Sequence, residues 1–274
     1  MTEKASPGDW VKHGEGDGGI ERIEAFFEGH GYAPHRHDTY AIGFTLAGVQ
    51  SFQYQRSRRH GVPGSVLVLH PDELHDGEAG TAAGFRYRMA YVSPWQVQQV
   101  LGGAPLPFVQ GGVSSDPRLR AAILPLLAHL QACLDPMEEA DALYDLSHSL
   151  VAVAGRPRAM RRPDAAGVER ARAYLMDRLG QQVTLDALAQ VSDMDRWQLS
   201  RDFRALLGTS PYRFLTLRRL DRVRRALLAG QSIASAALDT GFFDQSHMAR
   251  QFLLAYGVTP ALWLKRMGMR GRRR

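Results

Sequence analysis

Two arginines and three histidines have the spacing that could do chemistry in this chain. Arg201 and Arg250 stand 49 residues apart, at matching places in a repeated segment. A guanidinium donates two parallel hydrogen bonds, which suits both the O6/N7 edge of guanine and phosphate oxygens. His35 and His37 are separated by one residue, and His75 follows the run Ser65 to Leu69 and the pair His70-Pro71. Converging imidazoles suit Zn, Fe, Ni or Cu. Imidazoles that do not bind metal line a ligand pocket or bond to backbone.

The arginines must be positioned by the repeat itself. Residues 185–215 align without a gap on 234–264, with identities at Ala187/Ala236, Asp195/Asp244, Arg201/Arg250, Phe203/Phe252, Gly208/Gly257, Pro211/Pro260 and Leu215/Leu264. One supersecondary unit used twice explains this pattern. Each copy reads as a helix, a tight turn and a second helix, over 184–207 and 232–256. Thr184 and Asp195 are expected N-caps in the first unit. Asp193 occupies a turn position that favours left-handed backbone. In each second helix the apolar pairs Leu199/Phe203 and Met248/Phe252 must point inward. Trp197, Ser200, Arg201 and Arg204 then share the outward face of the first unit, and Gln245, Ser246, Ala249 and Arg250 that of the second. Such a helix enters the major groove N-terminal end first, which makes double-stranded DNA the expected partner and these eight residues the expected base contacts.

Between the units a helix is predicted from Pro211 to Leu228, with Leu217, Leu220, Val223 and Leu227 on one face and Arg218, Arg222 and Arg225 on the other. Eighteen residues make a rod of about 27 Å, comparable with the roughly 34 Å between successive major grooves on one DNA face. The three arginines are expected to meet phosphates or solvent.

Charge divides the chain in the same place. Residues 1–155 hold 11 Lys+Arg against 18 Asp+Glu, a net of −7; residues 156–274 hold 23 against 10, a net of +13, with 22 of the 23 cations arginine. A compositional bias toward arginine accounts for the type of cation but not for a change of sign. The lone Cys133 excludes an intramolecular disulfide framework and a multi-cysteine zinc site. No apolar run suits a membrane span or a secretory signal, so a cytoplasmic protein without membrane association is expected.

The histidines belong to a different kind of region. Residues 1–18 are polar and Gly-rich, an expected flexible tail. From 19 onward short apolar runs (20–27, 40–46, 51–55, 65–69 and 85–92), divided by Gly and Pro, predict a sandwich or barrel. His35, His37, Phe44, Tyr54, His75 and Tyr87 are the expected pocket residues, with Phe52, Met89 and Tyr91 as further aromatic or apolar lining. Beyond Pro94 the period becomes helical, at 95–101, 117–132 and 138–154. Leu119, Ile123, Leu126, Leu127 and Leu130 form a stripe that either the strands or a second copy of the chain must cover. Residues 156–166, with two prolines and four arginines, read as a linker. A helix at 167–179 opens the C-terminal domain, which extends to 269.

Residues 166–267 resemble the DNA-binding domain of the AraC family of bacterial transcription regulators. The resemblance is carried by Ile233, Ala234, Ala237, Gly241, Phe242, His247, Phe252, Tyr256, Gly257, Thr259 and Pro260. It implies seven helices with two helix-turn-helix units and base contacts at Trp197, Ser200, Arg201, Gln245, Ser246, Ala249 and Arg250. It also implies an N-terminal effector-binding domain, pairing of two chains through helices in 117–154, and leaves RNA polymerase open as a partner. The two histidine segments are similar to the half-motifs of the cupin fold, where His-x-His, a later His and a glutamate hold a divalent metal. Ala41 and Ile42 stand where that glutamate would fall. The expectation is therefore no bound metal and no other cofactor, with His35, His37 and His75 as the ligands should a metal bind.

The expected fold is α+β in two domains: a cupin-like β-barrel followed by helices, then an all-α domain with two helix-turn-helix units. Its expected function is effector-controlled, sequence-specific DNA binding rather than catalysis. A cupin-type metalloenzyme fused to a basic domain is the alternative. A non-specific DNA-packaging protein would bind every duplex equally.

Overall fold

Alternation along three strands decides the architecture of the N-terminal domain. In the computed structural model, which describes residues 8–14, 19–155 and 162–267, strands run over Trp10–His13 (β1), Glu21–Phe27 (β2), His30–His35 (β3), Tyr40–Gly48 (β4), Gln50–Tyr54 (β5), Ser57–Gly61 (β6), Val66–Leu69 (β7), His75–Ala79 (β8), Phe85–Val92 (β9) and Val113–Ser114 (β10). They form an antiparallel six-stranded sheet, β1-β2-β9-β4-β7-β10, facing a four-stranded sheet, β3-β8-β5-β6. On β4, β7 and β9 successive side chains take opposite faces. Tyr40, Ile42, Val66, Val68, Ala90 and Val92 pack on the helices Pro94–Leu101 (α1), Pro117–Leu127 (α2) and Pro136–Ala154 (α3). Ala41, Leu67, Leu69, Phe85, Tyr87 and Met89 pack between the sheets with Phe27, Phe52 and Tyr54.

This phase corrects two expected pocket residues. Phe44 shares the parity of Tyr40 and Ile42 and packs against the helices. Tyr54 is buried between the sheets, where its hydroxyl bonds His70 Nδ1 instead of lining a cavity. His70 also accepts from Val109 N–H and stacks on Phe108, so it is a satisfied core histidine.

Other boundaries differ for identifiable reasons. The expected tail contains β1, which pairs with β2 through Trp10↔Phe26 to His13↔Ile23; residues 1–7 and 15–18 lie outside the described ones. Strands β3, β6 and β8 carry few apolar side chains and gave no hydrophobic signal. Helix α2 contains Pro125 and ends at Leu127, short of the expected 132. The stripe Leu119, Ile123, Leu126 and Leu127 is covered by this chain's own sheet. Of the expected linker, 156–161 lie outside the described residues, and the next helix, Ala165–Asp177 (α4), begins before 166.

Among the described residues the C-terminal domain has seven helices: α4, Leu185–Ser192 (α5), Arg196–Leu207 (α6), Pro211–Leu228 (α7), Ile233–Asp239 (α8), Gln245–Tyr256 (α9) and Pro260–Arg266 (α10). Each described helix from α1 to α10 has a Ser, Thr or Asp N-cap whose side chain accepts a backbone N–H. That bond satisfies one of the donors left free at a helix start. Asp193 is left-handed at φ 56°, as the turn requires. Helix α7 serves both units: Phe214 and Leu215 join the core of the first, and Leu217, Leu220, Val223 and Leu227 that of the second. Sharing its side chains with both cores makes it a rigid link.

Candidate functional site

Two surfaces could do chemistry. The first is the outer face of α6 and α9, the second helix of each repeated unit. Caps fix their starts: Asp195 accepts from Trp197 and Gln198 N–H, and Asp244 from His247 N–H. Leu199 and Phe203 in α6, and Met248 and Phe252 in α9, are fully buried, as the repeat predicts. Trp197, Arg201 and Arg204 are consequently exposed on one helix, and Gln245, Ser246 and Arg250 on the other, with Ser200 and Ala249 half-buried beside them. Arg204 turns back on its own helix, donating to Ser200 O at 2.9 Å.

Phe243 belongs to this surface and was missed by sequence reasoning. It is 87 % exposed immediately before the cap of α9, whereas its repeat counterpart Met194 is buried. The only signal is the aromatic next to a second aromatic, Phe242, of which the core can take one.

The second surface is internal, and it corrects the reading of the linking helix. Arg218 does not face outward: its Nη2 donates to both carboxylate oxygens of Asp38 at 2.8 Å, and Nη1 pairs with Asp221 at 3.0 Å. Burial pushes the Asp38 carboxyl above its ordinary value, and the guanidinium opposes that shift. Arg224 grips Glu21 with two nitrogens, Nη2 donating to Oε1 at 2.7 Å and Nη1 to Oε2 at 3.1 Å. Burial works against ionisation of Glu21, yet hydrogen bonds from His13 and Arg224 hold its carboxyl well below the usual range. Arg213 reaches Asp72 at 3.0 Å and donates to Arg36 O at 2.7 Å. Of the three arginines assigned to phosphates, Arg222 and Arg225 remain exposed. The opposite charges of the two domains therefore meet each other before either meets a partner.

Backbone contacts complete the docking. Arg36 N–H donates to Leu254 O and Ala33 N–H to Gly257 O, joining β3 to the end of α9. Leu106 N–H donates to Ala205 O in α6, and Arg172 lies 4.1 Å over the Trp95 ring. Helices α6 and α9 thus both rest on the N-terminal domain by their C-terminal ends.

Between the domains lies a cavity of about 640 Å³, within the usual range for small-molecule sites. From the sheets it is lined by Ile23, Tyr32, Met89 and Tyr91, and from the helices by Leu217, Tyr256 and Trp263. His35, His37, His75 and Tyr87, four of the six expected pocket residues, stand in its wall; Phe44 and Tyr54 do not. Three arginines in that wall, Arg218, Arg224 and Arg266, each keep a buried Nε without a hydrogen-bond partner. Arg266 also donates to Gly31 O and stands over Phe27 and Tyr32. The arrangement offers an enclosure in which apolar side chains stand beside charged ones: Arg218 and Arg224 are met by Asp38, Asp221 and Glu21, and Arg266 by a backbone carbonyl.

Comparison with known proteins agrees with this division. Residues 17–149 match the family described as AraC-like ligand binding domain, and residues 188–266 match a helix-turn-helix domain family. The chain is 25 % identical over 220 residues to the HTH-type transcriptional regulator YbfI of Bacillus subtilis, covering 78 % of this chain and 80 % of that protein. It is 29 % identical over 106 residues to the XylDLEGF operon transcriptional activator 3 of Pseudomonas putida, covering 37 % of this chain and 32 % of the activator. Its fold is similar to that of ToxT from Vibrio cholerae, with a TM-score of 0.62 at 11 % identity over 94 % of this chain and 98 % of ToxT. A structure of ToxT with an unsaturated fatty acid bound aligns with a TM-score of 0.61 at 11 % identity, over 96 % of this chain and 97 % of that one.

Proposed function

This chain is a transcription regulator of the AraC type, with an N-terminal ligand-binding domain and a C-terminal helix-turn-helix domain, and we propose that its effector is an apolar molecule with one anionic oxygen group, bound between the two domains. The observation that carries this reading is Arg266, which stands in the cavity wall over Tyr32 and donates to the Gly31 carbonyl, with no carboxylate partner among the described residues. An effector carboxylate would give that guanidinium a charge-assisted hydrogen bond. The fatty acid of the ToxT structure has this chemistry.

An occupant touching both domains changes how firmly they dock, and so biases the spacing of the reading helices. Ligand and DNA are then coupled to the extent that the ligand binds docked and undocked states unequally. Arg201 and Arg250 read bases, with Trp197, Ser200, Arg204, Gln245, Ser246 and Ala249 beside them, and Arg222 and Arg225 meet phosphates. Two chains pair through α2 and α3, whose outer faces expose Leu124, Tyr144 and Val151. The protein acts where the chromosome is, in the cytoplasm, and catalyses nothing.

The test is thermal unfolding of the full chain with a series of long-chain and aryl carboxylates and their methyl esters. Acids should raise the midpoint, esters should not, and Arg266→Met should abolish the difference. Equal shifts for acids and esters would show that the arginines do not read charge. Sedimentation of Tyr144→Glu and Val151→Glu against the unaltered chain tests pairing, and an unchanged distribution removes α3 from the interface.

A further inference from the structure

The cavity wall holds donors that the effector reading leaves unused. His35 ends β3, His37 follows it and His75 begins β8; all three are buried, and their ligand atoms lie within 4.8 Å of one another. Ring centroids are 4.3 Å apart for His35 and His75, 4.7 Å for His37 and His75, and 6.0 Å for His35 and His37.

The three rings are oriented by one device. Each Nδ1 faces a backbone carbonyl two residues away: Ala33 O at 2.9 Å for His35, Thr39 O at 2.8 Å for His37 and Glu73 O at 2.9 Å for His75. A carbonyl only accepts, so each Nδ1 carries the proton and each Nε2 keeps its lone pair. Fixing the tautomer through the outer nitrogen is how metal-binding histidines are prepared.

We propose that His35, His37 and His75 bind one divalent transition metal through their Nε2 atoms, with the remaining coordination positions open to the interdomain cavity. Metal–nitrogen bonds of about 2.0–2.1 Å require each ring to draw in by less than about 1 Å. Three neutral imidazoles favour Zn, Fe, Co, Ni or Cu over Mg or Ca. They also leave the ion's full charge uncompensated, which invites an anionic donor from the cavity. Ala41, one of the positions where a fourth protein ligand was expected, is small and lines the same cavity. Its methyl leaves room for an outside ligand where a glutamate would have closed the site. The site also touches the docking surface: a Cβ at Gly257 would lie 3.0 Å from His35 Nδ1. Metal loading therefore steadies the end of β3 on which α9 rests. The proposal departs from the expectation of no bound metal that the missing glutamate suggests.

The test needs no effector, so its outcome is separate from that of the effector reading. Untagged full chain is stripped with chelator and titrated with Co(II) and then Zn(II), following visible d–d absorption and bound metal by elemental analysis. We expect about one equivalent per chain, and affinity weakened about tenfold or more in His37→Gln and His75→Gln. Binding of far less than one equivalent by the unaltered chain overturns the proposal, as does unchanged affinity in both variants when circular dichroism shows them folded. Should the variants fail to fold, Cu(II) electron paramagnetic resonance of the unaltered chain decides. Superhyperfine coupling to several imidazole nitrogens supports the site, and its absence overturns it.

Discussion

Arg218 of the linking helix sits astride Asp38 of the sensor domain, one guanidinium nitrogen lying 2.8 Å from each carboxylate oxygen. The Asp38 side chain is 8 % exposed, so the pair is largely out of water. Removing one partner of a buried pair typically costs about 3–5 kcal/mol, whereas replacing both with apolar groups is often neutral. Asp38→Ala should therefore loosen the docking, read as faster amide exchange through α7 and β3. Asp38→Leu with Arg218→Met should recover most of the protection. A double-mutant cycle with no coupling would show that the domains are held elsewhere.

The sequence disclosed the repeat, the caps and the inward faces of α6 and α9, because helical periodicity and capping are local. It did not disclose the destination of Arg218. A cation opposite an apolar stripe reads as solvent-facing, and only the docked sensor domain, supplying Asp38, Glu21 and Asp72, turns that face into an interface. Phe44 shows the complementary limit. Its phase on β4 was fixed by pairing with β7 and β9, which no single strand's pattern contains. The histidine cluster lay between these cases: spacing picked out the three residues, but the shared Nδ1 orientation depends on backbone carbonyls that spacing cannot place.

Arg201 is exposed on α6, and no hydrogen bond or ion pair involving it is present among the described residues, so its guanidinium is free to read a base. Arg201→Ala should weaken binding to a specific site by about 1–3 kcal/mol and relax the choice at one or two base pairs. Competition titrations against random duplex measure this. An equal loss for both duplexes would make Arg201 a phosphate contact.

Trp197 and Phe243 place one large aromatic at the leading end of each reading helix, 76 % and 87 % exposed. Truncating an exposed side chain changes stability by about 0.5 kcal/mol or less. Trp197→Ala and Phe243→Ala should therefore leave the unfolding midpoint nearly unchanged while weakening DNA binding several-fold. Apolar contact with thymine methyls is the interaction such side chains make in the major groove. Phe243→Ala binding as tightly as the unaltered chain would remove it from the interface.

Gly208 and Gly257 close the two reading helices at φ 72° and 66°, and both abut the sensor domain. A Cβ at Gly257 would lie 2.7 Å from Ala33 O, and one at Gly208 would lie 2.5 Å from Pro71 Cβ. Gly230 supplies the control, because its φ is 87° but nothing lies within 4 Å of the built Cβ. A left-handed residue other than glycine costs about 1–2 kcal/mol from local sterics alone, so Gly230→Ala should show that cost and no more. Gly257→Ala should exceed it, because the Ala33 carbonyl belongs to the sheet and cannot retreat as a flexible side chain would. The excess measures the docked state, and denaturant unfolding of the full chain reads it directly. Since the clash vanishes if the domains part, Gly257→Ala should also speed amide exchange in β3, whereas Gly230→Ala should not. Equal costs for the two variants would mean that α9 does not rest on β3 in solution.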